Sequence, residues 1–281
     1  MLVSMNELLK DAQRERYAVG SFNAVDIEQA RAVIGAAEEM RSPVIIGTAE
    51  VLLHVMPLER VAEYQIPMAE KAKVPVCVHF DHGLSFERCI QAVRLGFTSV
   101  MYDCSMDIYD ANIDKVAGMV RICHSAGVTV EGELGHVGDN EGSGKLKDPS
   151  DYFTDPLTAE DFVKRTGVDA LAVAVGNAHG EYKLPPKLDF ERITAISEKT
   201  GIPLVLHGGS GLSDDDFHEA IRRGICKVNI FTDIDRAGKE GIEKGMASGA
   251  GSLSAVIPCI IEAMKEAARN KIELFGSANR A

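Results

Sequence analysis

Short runs of apolar residues alternate with amphipathic stretches along the whole of this chain. Eight of these runs are rich in Val and Ile and have the length of a buried strand. They cover residues 17–24, 43–49, 74–81, 99–104, 128–134, 170–176, 203–209 and 225–232. Strands that alternate with helices in this way pair in parallel, because each helix carries the chain back to the end where the next strand starts.

Residues that begin and end helices lie between the runs. Thr158, followed by Asp161, has the spacing of a capping box and predicts a helix that ends at Gly167. Ser213 predicts another helix start, with three aspartates in the first turn where the helix dipole favours negative charge. A last helix is expected near residues 255–270.

The number and order of these elements indicate the fold class. Eight strands, each followed by a helix, in 281 residues predict a single-domain (β/α)8 TIM barrel over residues 1–281. A doubly wound open sheet is the alternative, but its glycine-rich fingerprint is missing from the first βα turn, SFNAVD. Residues 136–157 are polar and broken by Gly and Pro, and we interpret this long segment as a lid loop.

Composition restricts the partners and the location. The formal net charge is −12, from 30 Lys and Arg and 42 Asp and Glu, which argues against a nucleic-acid or anionic-membrane binder. Apolar runs stay shorter than the roughly 18 residues of a membrane span, and the N-terminus lacks signal-peptide features. Six cysteines without CxxC spacing are expected to be free thiols. These observations predict a cytoplasmic protein.

Three histidines follow three different predicted strands: His82, His179 and His207. The carboxyl ends of barrel strands meet at one face, so these imidazoles are expected to converge. Three neutral imidazoles with an open fourth position make a catalytic zinc site, although such a site also suits Co²⁺ or Mn²⁺. The other histidines are interpreted as structural, three in helical stretches, one within a strand and one at the start of the lid: His54, His124, His218, His79 and His136.

Carboxylates and small residues accompany the histidines at the same strand ends. Asp81, Asp103 and Glu133 each end a predicted strand. Glycines without a Cβ allow backbone N–H groups to approach a phosphate, and hydroxyl and amide groups add donors. The residues of this candidate phosphate cradle are Gly180, Gly208, Gly209, Ser210, Asn229 and Thr232. The loops after the seventh and eighth strands of barrels are the usual phosphate site.

The chain resembles the class II, metal-dependent aldolases, which include fructose- and tagatose-bisphosphate aldolases. The resemblance extends from end to end. It is carried by FDHG at 80–83, ELG at 133–135, NAHG at 177–180, PLVLHGGSG at 203–211, KVNIFTD at 227–233 and IELFGS at 272–277. It implies a TIM barrel that cleaves a ketose phosphate to dihydroxyacetone phosphate (DHAP) and an aldehyde.

The resemblance also implies roles for individual residues. His82, His179 and His207 match zinc ligands, while Asp103 and Glu133 match carboxylates of an alternative or second metal position. Asp81 matches the aspartate that protonates or polarises the aldehyde oxygen. The residues that match the DHAP site are Asn23, Gly180, Gly208, Gly209, Ser210, Asn229 and Thr232.

Three further expectations follow from the resemblance. Glu141, eight residues after Glu133, has the spacing of the mobile-loop glutamate that removes the substrate's proton. The chemistry supports this role, because an aldol reaction needs a carbanion next to a carbonyl and a base that reaches the carbon. A monovalent cation, Na⁺ or K⁺, is expected near Gly180 and Gly208. Family members are oligomers, so a homodimer or homotetramer is expected.

The sequence departs from the family pattern where a bisphosphate's distal phosphate would bind. Counting back from IELFGS places Ser254 at the position of the family's phosphate-binding arginine and Ser252 at that of its aspartate. Ala49 stands where a serine usually ends the second strand. Because serine cannot replace a bidentate arginine, we hypothesise an aldehyde partner without a phosphate; Arg236 or Lys183 could instead supply the charge.

Two other readings remain at this point. A metal-dependent barrel hydrolase or isomerase would normally show an HxH pair at the first strand, where this chain has FNAVD. A non-catalytic aldolase-like subunit is expected to have lost metal or base residues, which are present here.

Overall fold

Eight parallel strands close into a barrel in the computed structural model. The structure describes residues 1–135, 153–177 and 187–281 in full, and the backbone alone at 138–139 and 178–179. The barrel strands are β1 (Val19–Asn23), β2 (Val44–Ala49), β3 (Val76–Gly83), β4 (Ser99–Tyr102), β5 (Thr129–Leu134), β7 (Ala170–Val173), β9 (Leu204–Leu206) and β10 (Ile225–Ile230). Around the barrel they run β1-β10-β9-β7-β5-β4-β3-β2. Two short strands, β6 (Gly138–Asp139) and β8 (Ala178–His179), pair with each other outside it.

All eight predicted strands are present, and the predicted TIM barrel is confirmed. The strand β1 pairs with both β2 and β10, so the sheet has no open edge and the doubly wound alternative is wrong. Most strands are shorter than their apolar runs, but β3 continues to Gly83 and carries FDHG within it. The register shifts between Phe80 and Gly83, where β3 pairs with β4.

Helices connect the strands and cover the outside of the barrel. They are α1 (Met5–Glu15), α2 (Ile27–Met40), α3 (Leu58–Lys71), α4 (Phe86–Leu95), α5 (Tyr109–Ser125), α6 (Pro156–Thr166), α7 (Phe190–Thr200), α8 (Asp214–Arg223), α9 (Thr232–Ala247) and α10 (Leu253–Leu274), with one 3₁₀ turn at Glu50–Leu52. The helix predicted at 255–270 is α10. His54 lies in a turn rather than in a helix, because the helix after β2 begins only at Leu58.

One predicted helix start is right and one is wrong. Ser213 caps α8 in a capping box with Asp216, as predicted. Thr158 does not cap α6; Asp155 does, and its Oδ1 accepts hydrogen bonds from the backbone N–H groups of Leu157 and Thr158. Proline at the first helical position favours this earlier start. The predicted lid is therefore too long at its carboxyl end, because Pro156 and Leu157 already belong to α6; residues 136–137 and 140–152 lie outside the described residues.

The first helix closes the amino-terminal end of the barrel, a feature the strand pattern does not reveal. Met5, Leu8, Leu9 and Ala12 of α1 are buried in one cluster with inward-facing residues near the strand starts, which include Val19, Ile45, Cys77, Ala170 and Val205. A larger apolar cluster lies between the strands and the outer helices. All six cysteines are free thiols, as predicted. Among the helices of the described residues, none is long and apolar enough to cross a membrane.

Candidate active site

The carboxyl-terminal end of the barrel is lined by polar side chains that strand geometry points inward. Residues two apart on a strand face the same side, so His79 and Asp81 of β3 share the inner face, as do Glu131 and Glu133 of β5. A cavity of about 490 Å³ opens above them. Its lining includes these residues predicted for the site: Asn23, Asp81, His82, Asp103, Glu133, Gly208, Ser210, Asn229 and Thr232.

His82 is held by a carboxylate and by an unusual backbone conformation. Its φ of 42° lies in the left-handed region, which a residue with a Cβ adopts at a cost, and such strain is typical of functional sites. Its Nδ1 donates to Asp103 Oδ2 at 2.9 Å. Burial alone would lower the pKa of His82, but Asp81 and Asp103 outweigh burial and raise it. Asp103 also accepts hydrogen bonds from the backbone N–H and the hydroxyl of Ser105.

His207 lies fully buried beside His82, with the ring centroids 4.5 Å apart. Its Nε2 donates to Glu131 Oε1 at 2.9 Å, and its Nδ1 lies 3.3 Å from Glu133 Oε2. Burial would lower the pKa of His207, but the two glutamates outweigh burial and raise it to about 10. The side-chain amide of Asn177 donates to the carbonyl oxygen of His207 and fixes the backbone there.

Asp81 is buried between two amides at the base of the cavity. Asn23 Nδ2 donates to its Oδ2 at 2.9 Å, and Asn229 Nδ2 donates to its Oδ1 at 3.0 Å. Burial would raise the pKa of Asp81, but the neighbouring His82 and His79 hold it well below its ordinary value. In this environment Asp81 is an ionised carboxylate next to a candidate metal ligand.

The donor atoms present fit a divalent metal. The ligand atoms of Asp81, His82 and His207 lie within 4.8 Å of one another, and so do those of His82, Asp103 and Glu133. Glu133 Oε2 is buried, and apart from its ion-pair contact of 3.3 Å with His207 Nδ1 it has no hydrogen-bond partner among the described residues, although buried polar atoms normally have one. Imidazole and carboxylate are the donors that Zn²⁺, Co²⁺ and Mn²⁺ accept. The His179 side chain lies outside the described residues.

The phosphate-cradle residues are only partly brought together. Gly208, Ser210, Asn229 and Thr232 line the cavity, and Gly208 has the left-handed φ of 63°. Gly209 packs on the strand instead, where a Cβ would lie 2.8 Å from Val228 Cγ1. Gly180 and the proposed base Glu141 lie outside the described residues.

Sequence reasoning missed three buried residues directly beneath the cavity: His79, Glu131 and Lys227. Lys227 Nζ donates to Glu131 Oε2 at 2.8 Å, and Glu131 in turn bonds His207. His79 Nε2 lies 3.6 Å from Asp81 Oδ1, so this histidine is closer to the site than its structural interpretation implied. A two-position spacing in the sequence could have identified them, because each of the three precedes a predicted site residue by two positions and so faces the same side of its strand.

Comparison with known proteins places this arrangement in a family. Residues 3–280 match the family described as fructose-bisphosphate aldolase class-II. This chain belongs to the class II fructose-bisphosphate aldolase family. The aldolase is 39% identical to the probable fructose-bisphosphate aldolase of Bacillus subtilis (strain 168), over 100% of this chain and 99% of the relative. It is also 39% identical to the fructose-bisphosphate aldolase of Geobacillus stearothermophilus, with the same coverage.

Solved structures agree with this assignment. The crystal structure of the YdjI aldolase from Escherichia coli K12 matches with a TM-score of 0.91 and 37% identity over 100% of both chains. A putative fructose-1,6-biphosphate aldolase from Coccidioides immitis matches with a TM-score of 0.88 and 27% identity, over 98% of this chain and 97% of that one. The protein is a class II aldolase, a metal-dependent carbon–carbon lyase that performs retro-aldol cleavage to DHAP and an aldehyde. The predicted family is confirmed, and it is favoured over the two alternative hypotheses, a metal-dependent barrel hydrolase or isomerase and a non-catalytic aldolase-like subunit.

Proposed function

We propose that this aldolase is zinc-dependent and cleaves a ketose that carries a single phosphate, releasing DHAP and an aldehyde without a phosphate. The observation that carries the proposal is the convergence of His82 and His207 with three carboxylates at the cavity floor. The site residues are proposed to act in three groups: a metal set, a proton-transfer pair and a phosphate cradle.

The metal set comprises His82, His179 and His207, with Asp103 and Glu133 able to serve a second position. Because His82 uses Nδ1 and His207 uses Nε2 to bond carboxylates, the metal would bind Nε2 of His82 and Nδ1 of His207. When bound, a divalent zinc ion acts as a Lewis acid that stabilises negative charge developing on the substrate's oxygens. Co²⁺ and Mn²⁺ are the alternative ions for the same donors.

Asp81 and Glu141 are proposed to move the protons. The lowered pKa of Asp81 keeps its carboxyl ionised, so it can accept the hydroxyl proton when the carbon–carbon bond breaks. In the condensation direction the same carboxyl returns that proton to the aldehyde oxygen. Glu141 is proposed to exchange the proton on the DHAP carbon, on the strength of its spacing from Glu133.

The phosphate of DHAP is proposed to bind where β9 and β10 end. Gly208, Ser210 and Thr232 line this side of the cavity, with Asn229 below them. In the sequence Gly209 lies between Gly208 and Ser210, and Gly180 follows His179. Thr232 is the first residue of α9, and Phe231 caps this helix without a side-chain hydrogen bond, so the N–H groups of the first turn can bind an anion. A monovalent cation near Gly180 and Gly208 would add positive charge. Backbone donors of this kind explain how a chain of net charge −12 can bind a phosphate.

The opposite wall of the cavity supports the choice of one phosphate. In the barrel order, β2, β3 and β4 lie across from β7, β9 and β10, so their loops face the cradle. That wall carries Ala49, Leu52 and Met106, and no Lys or Arg is among the described residues that line the cavity. Ser254 bonds Ser252 at the exposed start of α10. Arg236 is exposed on α9, and Lys183 lies outside the described residues.

Proton exchange and kinetics test the proposal separately. The zinc-loaded enzyme should exchange a DHAP carbon-bound proton in deuterated water without any aldehyde, Glu141→Gln should lose this exchange, and chelator-treated enzyme should regain it with zinc. Wild-type enzyme without exchange would contradict the assigned chemistry. Fructose or tagatose bisphosphate cleaved as efficiently as the corresponding ketose 1-phosphate would contradict the single-phosphate preference alone.

We also propose that the aldolase is a homodimer or homotetramer, as its family resemblance implies, and that it is cytoplasmic, as its composition and cysteine usage indicate. Sedimentation equilibrium of the purified chain tests the assembly, because a monomer at micromolar concentration would contradict it. Fractionation of cells tests the location.

A further inference from the structure

A buried ion pair lies inside the barrel, one layer below the cavity floor. Lys227 and Glu131 are both 0% exposed, and Lys227 Nζ lies 2.8 Å from Glu131 Oε2. Removing two charges from water costs several kcal/mol per ion, and apolar replacements of such pairs are often neutral or stabilising. Stability therefore does not explain the presence of this pair. A second contact of the Glu131 carboxylate indicates another role.

The second oxygen of the same carboxylate bonds a candidate metal ligand. Glu131 Oε1 accepts a hydrogen bond from His207 Nε2 at 2.9 Å, while Oε2 is occupied by Lys227. The lysine therefore fixes the plane of the carboxylate, and the carboxylate fixes the imidazole. A proton kept on Nε2 by Glu131 would leave Nδ1, which lies 3.3 Å from Glu133 Oε2, as the nitrogen that exchanges its own proton for a metal.

The other imidazole has a carboxylate partner of a different kind. His82 donates to Asp103, but Asp103 lines the cavity and its side chain is 13% exposed, so it can also reach a ligand directly. Glu131 is fully buried and does not line the cavity. It bonds His207 directly, and it also faces His79, whose Nε2 lies 3.7 Å from Glu131 Oε2 and 3.6 Å from Asp81 Oδ1.

We propose that Glu131 and Lys227 are positioning residues that set the orientation and tautomer of His207 for the divalent metal. This inference rests on the proposed metal site. Partners of this kind orient ligand imidazoles, and losing them typically weakens metal affinity by about 10- to 100-fold.

Two double variants isolate the positioning contact from the ion pair. Both remove the lysine with Lys227→Met, and they differ at the other position: Glu131→Leu removes the acceptor for His207, whereas Glu131→Gln keeps an acceptor oxygen. Zinc affinity of the chelator-treated protein is measured by competition with a chromophoric chelator. The visible spectrum of the Co²⁺-loaded protein reports ligand geometry, and thermal unfolding reports the fold. Ser277→Ala is the control, because it removes a fully buried hydrogen bond to Ser42, two residues before β2.

The proposal expects the Leu double variant to bind zinc about 10- to 100-fold more weakly than wild type, with an altered Co²⁺ spectrum. The Gln double variant should lie closer to wild type in both measurements, and Ser277→Ala should match wild type. Two double variants that both bind zinc as tightly as wild type, with unchanged spectra, would overturn it.

A single variant covers the case in which the Leu double variant does not fold. Glu131→Gln alone keeps the side-chain size and Lys227, but its one amide oxygen cannot replace both carboxylate oxygens, which accept from His207 and Lys227. The proposal therefore expects weaker zinc binding and a shifted Co²⁺ spectrum. Unchanged affinity and spectrum in this variant would equally overturn the proposal. If wild-type protein binds neither Zn²⁺ nor Co²⁺, the proposed metal site itself fails, and this result is distinguishable from failure of the positioning role.

Discussion

The two ends of the barrel use the same inward-facing positions of the same strands for opposite purposes. At the amino-terminal end, Ile45, Cys77 and Val205 are apolar and pack against α1. Two residues further on, His79 of β3 and His207, which directly follows β9, take part in the buried polar network. The alternation of a strand places all of these inward. All of these side chains face inward, so the stabilising end and the catalytic end differ only in how far along the strand a residue lies.

The Lys227–Glu131 pair lies where these two environments meet. Below it the barrel interior is apolar, and above it are Asp81, His82 and Glu133. Burial would raise the pKa of Glu131, but Lys227 and His207 outweigh burial and lower it to about 2. The glutamate is therefore ionised in a place that excludes water, and it depends on its two partners for compensation. Changes at the two ends should accordingly have separable effects, on catalysis at one and on stability at the other.

The largest loss of catalysis without a matching loss of stability is expected at Asp81. Asp81→Asn keeps the size of the side chain but removes the group proposed to accept the hydroxyl proton, so kcat for cleavage should fall by about 10²- to 10⁴-fold. Steady-state cleavage of a ketose 1-phosphate measures this. Proton exchange into DHAP should persist, because it uses Glu141, and the exchange rate is the internal control. Cleavage at the wild-type rate would remove Asp81 from the mechanism.

The opposite result, a loss of stability without a loss of catalysis, is expected at the amino-terminal end of the barrel, which α1 closes. Leu9 of α1 is 1% exposed, and Leu9→Ala should lower the free energy of unfolding by about 2–5 kcal/mol because it leaves a cavity. Urea unfolding measures this, and kcat of the folded variant should match wild type. Leu253→Ala is the matched control, because Leu253 is 73% exposed and such surface changes stay within about 0.5 kcal/mol. A large loss of kcat with little loss of stability at Leu9 would contradict the division.

A smaller, pH-dependent effect is expected at Asp155, the residue that caps α6. The backbone N–H and hydroxyl of Thr158 donate to Asp155 and hold its pKa below the ordinary value of 3.8. Because the folded-state pKa is depressed, the cap's charge-dependent stability is present above pH 3.8 and is lost as pH falls through the lower value. Asp155→Ala should cost about 0.5–2 kcal/mol near neutral pH, and that difference should shrink on acidification.

Asparagine provides the control for this cap. Asp155→Asn keeps an oxygen that accepts from the same N–H groups but does not titrate, so its stability should lack the acid-dependent component. Parallel thermal unfolding of wild type and both variants across the acidic range gives the comparison. A difference between wild type and Asp155→Ala that stays constant with pH would show that the charge of Asp155 does not contribute.

The fold was predictable because buried parallel strands form nearly continuous apolar runs, and eight such runs between helices have few other arrangements. Local competition explains the error at α6: Thr158 and Asp161 match a capping box, but Asp155 followed by Pro156 matches a helix start equally well and begins one turn earlier. The helix α1 precedes every strand, so nothing in the alternation required it.

The site was predictable where a motif marks a strand end, as at His82 or His207. The buried residues below were not, because Glu131 and Lys227 are single charged residues within apolar strands, and their pairing depends on β5 and β10 facing each other across the barrel. The distance between two strands across the barrel cannot be predicted from the local sequence of either one. Glu133 and Asn229, two positions further on, were found because they lie towards the ends of predicted strands, and the family resemblance then implied their roles.

The central claim is that His82 and His207 hold a divalent metal at the carboxyl-terminal end of the barrel. The most direct test is a crystal structure of the zinc-loaded aldolase with anomalous differences measured on both sides of the zinc absorption edge. We expect a zinc peak about 2.0–2.1 Å from Nε2 of His82 and Nδ1 of His207, with Glu131 still bonded to Nε2 of His207. A zinc peak that contacts neither imidazole, or an edge signal absent from fully active crystals, would contradict it.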